Sequence, residues 1–274
     1  MIDEPLTPET ITDNLGTAVL PRRVLCYEQV SSTMDVAREQ LQRLPPDDFP
    51  LLVLADEQTA GRGRMRRPWA SSPGSALLFS LVLRPHWLAP ESSMALVWMA
   101  AVSLCEAISL VTPLRPRLKW PNDVLLPADP PAPGAAWHKV AGILLEAGYE
   151  QQRLDWASIG CGINISEHPP ADLLRSPATN LAAALGEPLP RLPLLRAALL
   201  RLDMWYVRLQ QGDHDGLFAT WRSLLVTLGR PVEIETAAGE ILRGRAEDVE
   251  PSGALRIRDA AGTLHTISSG DVCV

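Results

Sequence analysis

Apolar positions along the chain fall into short continuous runs and longer helical stretches, and the two kinds alternate. Leu51-Leu52-Val53-Leu54-Ala55 and the run from Ala76 to Leu83 read as buried strands, with a shorter strand at Val24 to Tyr27. The segment from Glu28 to Asp35 is rich in N-cap residues and opens a helix whose apolar face carries Val36, Ala37 and Leu41. Ser92 to Val111 is apolar almost all round, which predicts a buried helix. Leu118 to Leu125 is strand-like, but Pro121 and the Asn122-Asp123 pair predict that the strand ends or bulges there. Further strands are expected at Lys139 to Glu146 and at Asp155 to Gly160, the second running into Gly160-Cys161-Gly162-Ile163-Asn164. Pro193 to Gln211 and Leu217 to Leu228 read as amphipathic helices.

After Gly229-Arg230-Pro231 the pattern changes to short strands at Val232–Glu235, Ile241–Val249, Ala254–Arg258 and Thr263–Ile267. Ala238-Gly239, Ser252-Gly253 and Ala261-Gly262 separate them at hairpin spacing, which predicts a small β-barrel. Residues 1–20 are polar and proline-punctuated and read as an arm; Pro127 to Ala136 reads as an exposed loop. The expected organisation is an arm at 1–20, a larger domain at 21–228 and the barrel at 229–274.

Candidate chemistry concentrates between the first two long apolar runs. The stretch from Asp56 to Trp69 holds Gly61 and Gly63 with Arg62, Arg64, Arg66 and Arg67. Glycines let backbone N–H groups turn onto an anion, and guanidinium forks suit phosphate and carboxylate oxygens. A loop closing over a phosphate-bearing ligand and a solvated basic hairpin are the two readings. Ser32 and Thr33 stand at a helix start, where they either cap the helix or face a polar ligand group. Lys119, Asn122 and Asp123 are placed at a sheet edge or mouth, and Gly142 within a strand suggests a close approach to the backbone.

Composition narrows the field. The 274 residues are 46% hydrophobic and 21% charged with a net charge of −7, which disfavours non-specific binding to nucleic acid or anionic membrane. No apolar run of membrane-spanning length and no signal peptide are expected, so the protein reads as cytoplasmic. Four scattered cysteines and five scattered histidines argue against a zinc site, a disulfide framework or a transition-metal enzyme. Of 25 basic residues only Lys119 and Lys139 are lysines, which raises the prior that a compact ammonium is needed at those two places.

Taken in order, Ser31-Ser32-Thr33, Gln58 with Gly61-Arg62-Gly63-Arg64, Lys119-Trp120-Pro121-Asn122-Asp123, Lys139-Val140-Ala141-Gly142-Ile143-Leu144 and Gly160-Cys161-Gly162-Ile163-Asn164 resemble biotin–protein ligases. The resemblance runs from about Val24 to the C-terminus. It implies an α+β fold, a mixed β-sheet flanked by helices of the class II synthetase and biotin–lipoyl ligase type, with a small SH3-like barrel. It also implies ATP with Mg²⁺ as cosubstrate, biotinyl-5′-AMP as intermediate and a biotin carboxyl carrier domain of acetyl-CoA carboxylase, or of a related carboxylase, as acceptor. Ser32, Thr33, Gln58, Arg62 and Gly142 would then meet biotin, Arg62 facing its carboxylate. Lys139 would stabilise charge between that carboxylate and the α-phosphate, with Arg64 beside it as the second catalytic residue. Gly61, Gly63, Arg64, Lys119, Asn122, Asp123 and Asn164 would meet the nucleotide; no protein metal ligand is assigned. Trp120 is expected in the core in preference to stacking on a ligand.

Two departures stand out. Met65-Arg66 replaces a segment in which the best-known members carry a glycine, and the proline-rich stretch from Pro127 to Ala136 lengthens the link to Lys139. The short, acidic arm leaves no room for a DNA-reading winged helix, so a monofunctional enzyme without DNA or membrane partners is expected; a homodimer stays open. The competing readings are a lipoate ligase on the same fold, a biotin-sensing repressor and an inactive homologue.

Overall fold

In a computed structural model of the chain, residues 4–128, 136–169, 176–236 and 241–273 are described. The proline-rich stretch lies mostly outside them. Seven strands form one mixed sheet in the order β1-β2-β3-β7-β6-β5-β4. These are β1 (Arg23–Val30), β2 (Leu51–Gln58), β3 (Ala76–Leu83), β4 (Arg117–Lys119), β5 (Asp123–Pro127), β6 (Trp137–Glu150) and β7 (Arg153–Asn164). Only β1 and β2 run parallel, as a crossover through α2 (Thr33–Arg43) requires; every other neighbouring pair is antiparallel. The two apolar runs at β2 and β3 are central strands, and every residue of β3 is buried.

One face of the sheet is covered by α3 (Met94–Val111), α5 (Arg191–Gln210) and α6 (His214–Leu224). By length and composition alone α3 could cross a membrane, contrary to the expectation that no such run exists. Its residues from Ala95 to Cys105 are all buried, so its apolar surface is spent on the core. A short helix, α4 (Leu181–Leu185), follows β7 and is not legible in the periodicity because it spans only one turn and a half.

The arm is more than a solvated tail. It forms α1 (Pro8–Thr12) and buries Ile11, Leu15 and Leu20, each contributing roughly 1.5–3 kcal/mol by transfer from water. The Asp203 carboxylate on α5 accepts the backbone N–H groups of Ala18, Val19 and Leu20, each at 2.7 Å.

The C-terminal segment adds β8 (Pro231–Thr236), β9 (Ile241–Val249), β10 (Leu255–Arg258), β11 (Leu264–Ile267) and β12 (Gly270–Cys273). They form an antiparallel sheet in the order β11-β10-β9-β8-β12, with five strands where the sequence pattern shows four. This sheet fits the SH3-like expectation, although β11 and β12 do not pair to close a barrel among the described residues. It is tied to the larger sheet at Gly253, whose φ of +86° and close approach to Trp98 leave little room for a side chain. The Gly253 carbonyl accepts the indole N–H of Trp120 at 2.8 Å, and Trp98 stacks on Trp221. Trp120 is fully buried, as expected, and serves this junction.

Candidate active site

The Lys-Trp-Pro-Asn-Asp segment is a hairpin. β4 ends at Lys119, β5 begins at Asp123, and the two residues pair across the turn. Their side chains meet, with Lys119 Nζ 3.3 Å from Asp123 Oδ2. Lys139, near the start of β6, brings its Nζ to 2.6 Å from Asp123 Oδ1. Both lysines of the sequence therefore share one carboxylate. Burial alone would raise the Asp123 carboxyl, but the ammonium groups of Lys139 and Lys119 overcome that and hold it below the ordinary aspartate value. Lys119 also donates to Ser176 Oγ at 3.2 Å, and the backbone of Lys139 is bonded to Pro177 and Thr179. Asn122 donates to the Ile143 carbonyl at 2.7 Å, and Asn164 donates to the Thr179 carbonyl at 2.9 Å.

The glycine–arginine loop crosses in front of this group. Arg64 donates to Asn122 Oδ1 at 3.1 Å and reaches the second domain, at the Gly270 carbonyl and Ser269 Oγ. Burial lowers the Arg64 guanidinium from its ordinary value, while Asp271 and Asp123 work against that. Arg67 pairs with Asp271. Met65 has a φ of +54°, so at the place where the family pattern is broken a side chain occupies the left-handed region. Gly61 closes the base of the loop: its carbonyl accepts the Trp69 N–H at 2.8 Å, and a Cβ there would sit 2.5 Å from the Trp69 carbonyl oxygen.

At the other end of the cleft, Ser32 caps α2 through the Met34 N–H at 3.3 Å and also lines the cavity. The Thr33 N–H and hydroxyl both donate to Gln58 Oε1, at 2.8 and 3.1 Å, and Ser80 donates to the Thr33 hydroxyl at 2.8 Å. This chain of bonds turns the Gln58 amide so that its NH₂ group has no partner among the described residues. Arg62 is ion-paired twice, through Nη1 to Asp35 at 2.7 Å and through Nε to Glu146 at 3.2 Å. Burial would lower its pKa, yet the two carboxylates hold it above the ordinary arginine value.

Between the two ends lies a trough. Gly142 on β6 and Gly162 on β7 are directly paired, and the Trp69 indole lies across both. A Cβ at Gly162 would stand 2.5 Å from that ring. The Trp69 indole N–H is buried and has no partner among the described residues.

One cavity thus gathers Ser32, Thr33, Gln58, Arg62, Gly63, Arg64, Lys119, Asn122, Asp123, Lys139, Gly142 and Asn164. Of the candidates named from the sequence only Gly61 stands outside its lining. Trp69, Phe79 and Asp271 line it too and were not singled out. Glycines at 142 and 162 were the available signal for a bulky ring against the strands, while Gly160 faces the Met34 side chain; nothing local marks Asp271.

A cleft with an apolar trough, one cationic end and a wall from a small β-domain, set on a mixed sheet, suits a ligand with an apolar body and an anionic end. Residues 26–164 match the model of the biotin/lipoate A/B protein ligase family, and residues 227–274 match the biotin protein ligase C-terminal domain. The bifunctional ligase/repressor BirA of Bacillus subtilis is 30% identical over 97% of this chain and 78% of its own length. The biotin–[acetyl-CoA-carboxylase] ligase of Paracoccus denitrificans is 34% identical over 82% of this chain and 90% of its own. Among solved structures, the Aquifex aeolicus biotin protein ligase in complex with biotin and ATP superposes with a TM-score of 0.73, at 25% identity over 92% of this chain and 97% of that one. The chain belongs to the biotin protein ligase family.

Proposed function

We propose that the protein activates biotin with ATP and passes it to a lysine of a carboxyl carrier domain; the Paracoccus relative is named a biotin–[acetyl-CoA-carboxylase] ligase. The observation that supports this best is the convergence of both lysines and Asp123 with the loop arginines on one side of the trough. In the first step a biotin carboxylate oxygen attacks the α-phosphorus and the bond to the β-phosphate oxygen breaks, releasing pyrophosphate. In the second, the neutral carrier amine attacks the acyl carbon and AMP leaves, the amine proton passing to solvent. Both steps move negative charge, and fixed cations stabilise it where it develops.

Lys139 is assigned to the junction of carboxylate and α-phosphate, with Asp123 holding its ammonium in place. Arg64 is assigned to the phosphates, with Lys119, Asn122, Asn164 and the backbone at Gly61 and Gly63 on the nucleotide side. Ser32, Thr33, Gln58 and Gly142 are assigned to biotin, and Arg62 meets the acid with the N–H groups that Asp35 and Glu146 leave free. Mg²⁺ fits as a companion of the triphosphate: no group of three His, Cys, Asp or Glu residues gathers among the described residues, and Asp123 is already shared by two lysines. When bound, it would neutralise phosphate charge.

Biotin-dependent exchange of labelled pyrophosphate into ATP tests the first step without a carrier. Exchange with biotin is expected; a signal with lipoate alone would replace the acid, and none with either would overturn the reading. A DNA shift assay with the adenylate present tests for repressor activity, and no shift is expected.

A further inference from the structure

Arg62 is one member of a set of four charges linked by three ion pairs, which the backbone of α2 between Asp35 and Arg38 completes into a ring. Asp35 and Arg38 lie one turn apart on α2; Asp35 holds Arg62, Arg62 holds Glu146, and Glu146 returns to Arg38. Ser31 donates to the far oxygen of Asp35 at 3.1 Å. The ring joins three separate elements that line the cleft. These are the start of α2 with Ser32 and Thr33, the glycine–arginine loop, and β6, where Glu146 follows Gly142 and Leu144 on the same face.

The side chains of Asp35, Arg38 and Arg62 are 40%, 54% and 26% exposed, and that of Glu146 is 23% exposed. Ion pairs this open to water add little to global stability. A ring of them at a cleft mouth therefore has a different consequence: it fixes the direction of one guanidinium and the distance between the walls. We propose that Glu146 and Asp35 are positioning residues that hold Arg62 and the loop in the biotin-binding arrangement, leaving the chemistry to the lysine end. The proposal rests on the ligase reading above.

The test is pyrophosphate exchange at saturating ATP as a function of biotin, with calorimetric titration of biotin alone. Glu146→Ala should raise the biotin KM about tenfold, the scale of one lost charge-assisted contact, with kcat within about twofold and the KM for ATP unchanged. Glu146→Gln keeps an acceptor for the Arg62 Nε–H and should recover most of the loss; Asp35→Asn should fall between. Thermal unfolding of these variants should stay close to that of the parent. An unchanged biotin KM and affinity in Glu146→Ala overturns the proposal, as does a fall in kcat at unchanged KM. If the parent itself shows no biotin-dependent exchange, the ligase reading has failed instead. The ring is then judged by amide hydrogen exchange over residues 60–64: faster exchange in Glu146→Ala supports it, and unchanged exchange overturns it.

Discussion

At the Arg62 end of the cleft two guanidinium groups face two carboxylates; at the other end, among the described residues, Lys119, Lys139, Arg64 and Arg67 face Asp123 and Asp271. The first group is neutral as a whole, while the second keeps an excess of positive charge inside walls that exclude much of the water. Such an excess draws anionic groups, while at the neutral end the two acids hold the Arg62 guanidinium in one direction beside the hydrogen-bonding groups of Thr33 and Gln58. The same residue types thus serve orientation in one place and charge stabilisation in the other. What decides between them is the number of acids supplied with each set of bases.

The largest effect should come from the cationic end. Lys139→Ala is expected to lower biotin-dependent pyrophosphate exchange at least about 100-fold while the fold persists. A rate within threefold of the parent would show that the excess charge is not needed there. Next, Gly162→Ala places a methyl into the Trp69 indole, so the ring must leave the trough that separates the two ends. We expect about a tenfold loss of biotin affinity by titration and about 1–3 kcal/mol of stability in denaturant unfolding. An unchanged affinity would mean that the indole is not part of the biotin compartment.

Asp271→Asn sharpens the comparison further, because it removes an acid from the cationic end and a latch from the loop at once. Release of labelled adenylate should quicken by about threefold if the latch matters more; slower release would mean that the added positive field wins. The smallest effect concerns pH. Asp123 is held below the ordinary aspartate value, so its contribution to stability is complete above that value and is lost only as pH falls through the lower folded one. Unfolding free energies of the parent and Asp123→Asn should therefore differ by a constant amount from pH 7 to about 5 and converge only in stronger acid.

Strands β2 and β3 and helix α3 were legible because continuous burial writes itself as continuous apolar sequence. The loop was legible because glycines and arginines have few other reasons to alternate. The ring around Arg62 was not, since two of its three ion pairs span 84 and 108 positions along the chain and no spacing rule links them. Asp271 was hidden for a related reason: it comes from the second domain, whose placement depends on tryptophan packing at Gly253. The anchoring of the arm was hidden because Asp203, which holds it, is 183 positions from Leu20.

Finally, both ε-amines of the sequence sit on one carboxylate within the cleft. An amine-selective acylating reagent applied to the folded protein meets, besides the terminal amine, only groups inside that pocket. The extent of modification becomes a footprint of pocket occupancy, and a competing ligand can be ranked by how well it shields two residues against a background free of other lysines.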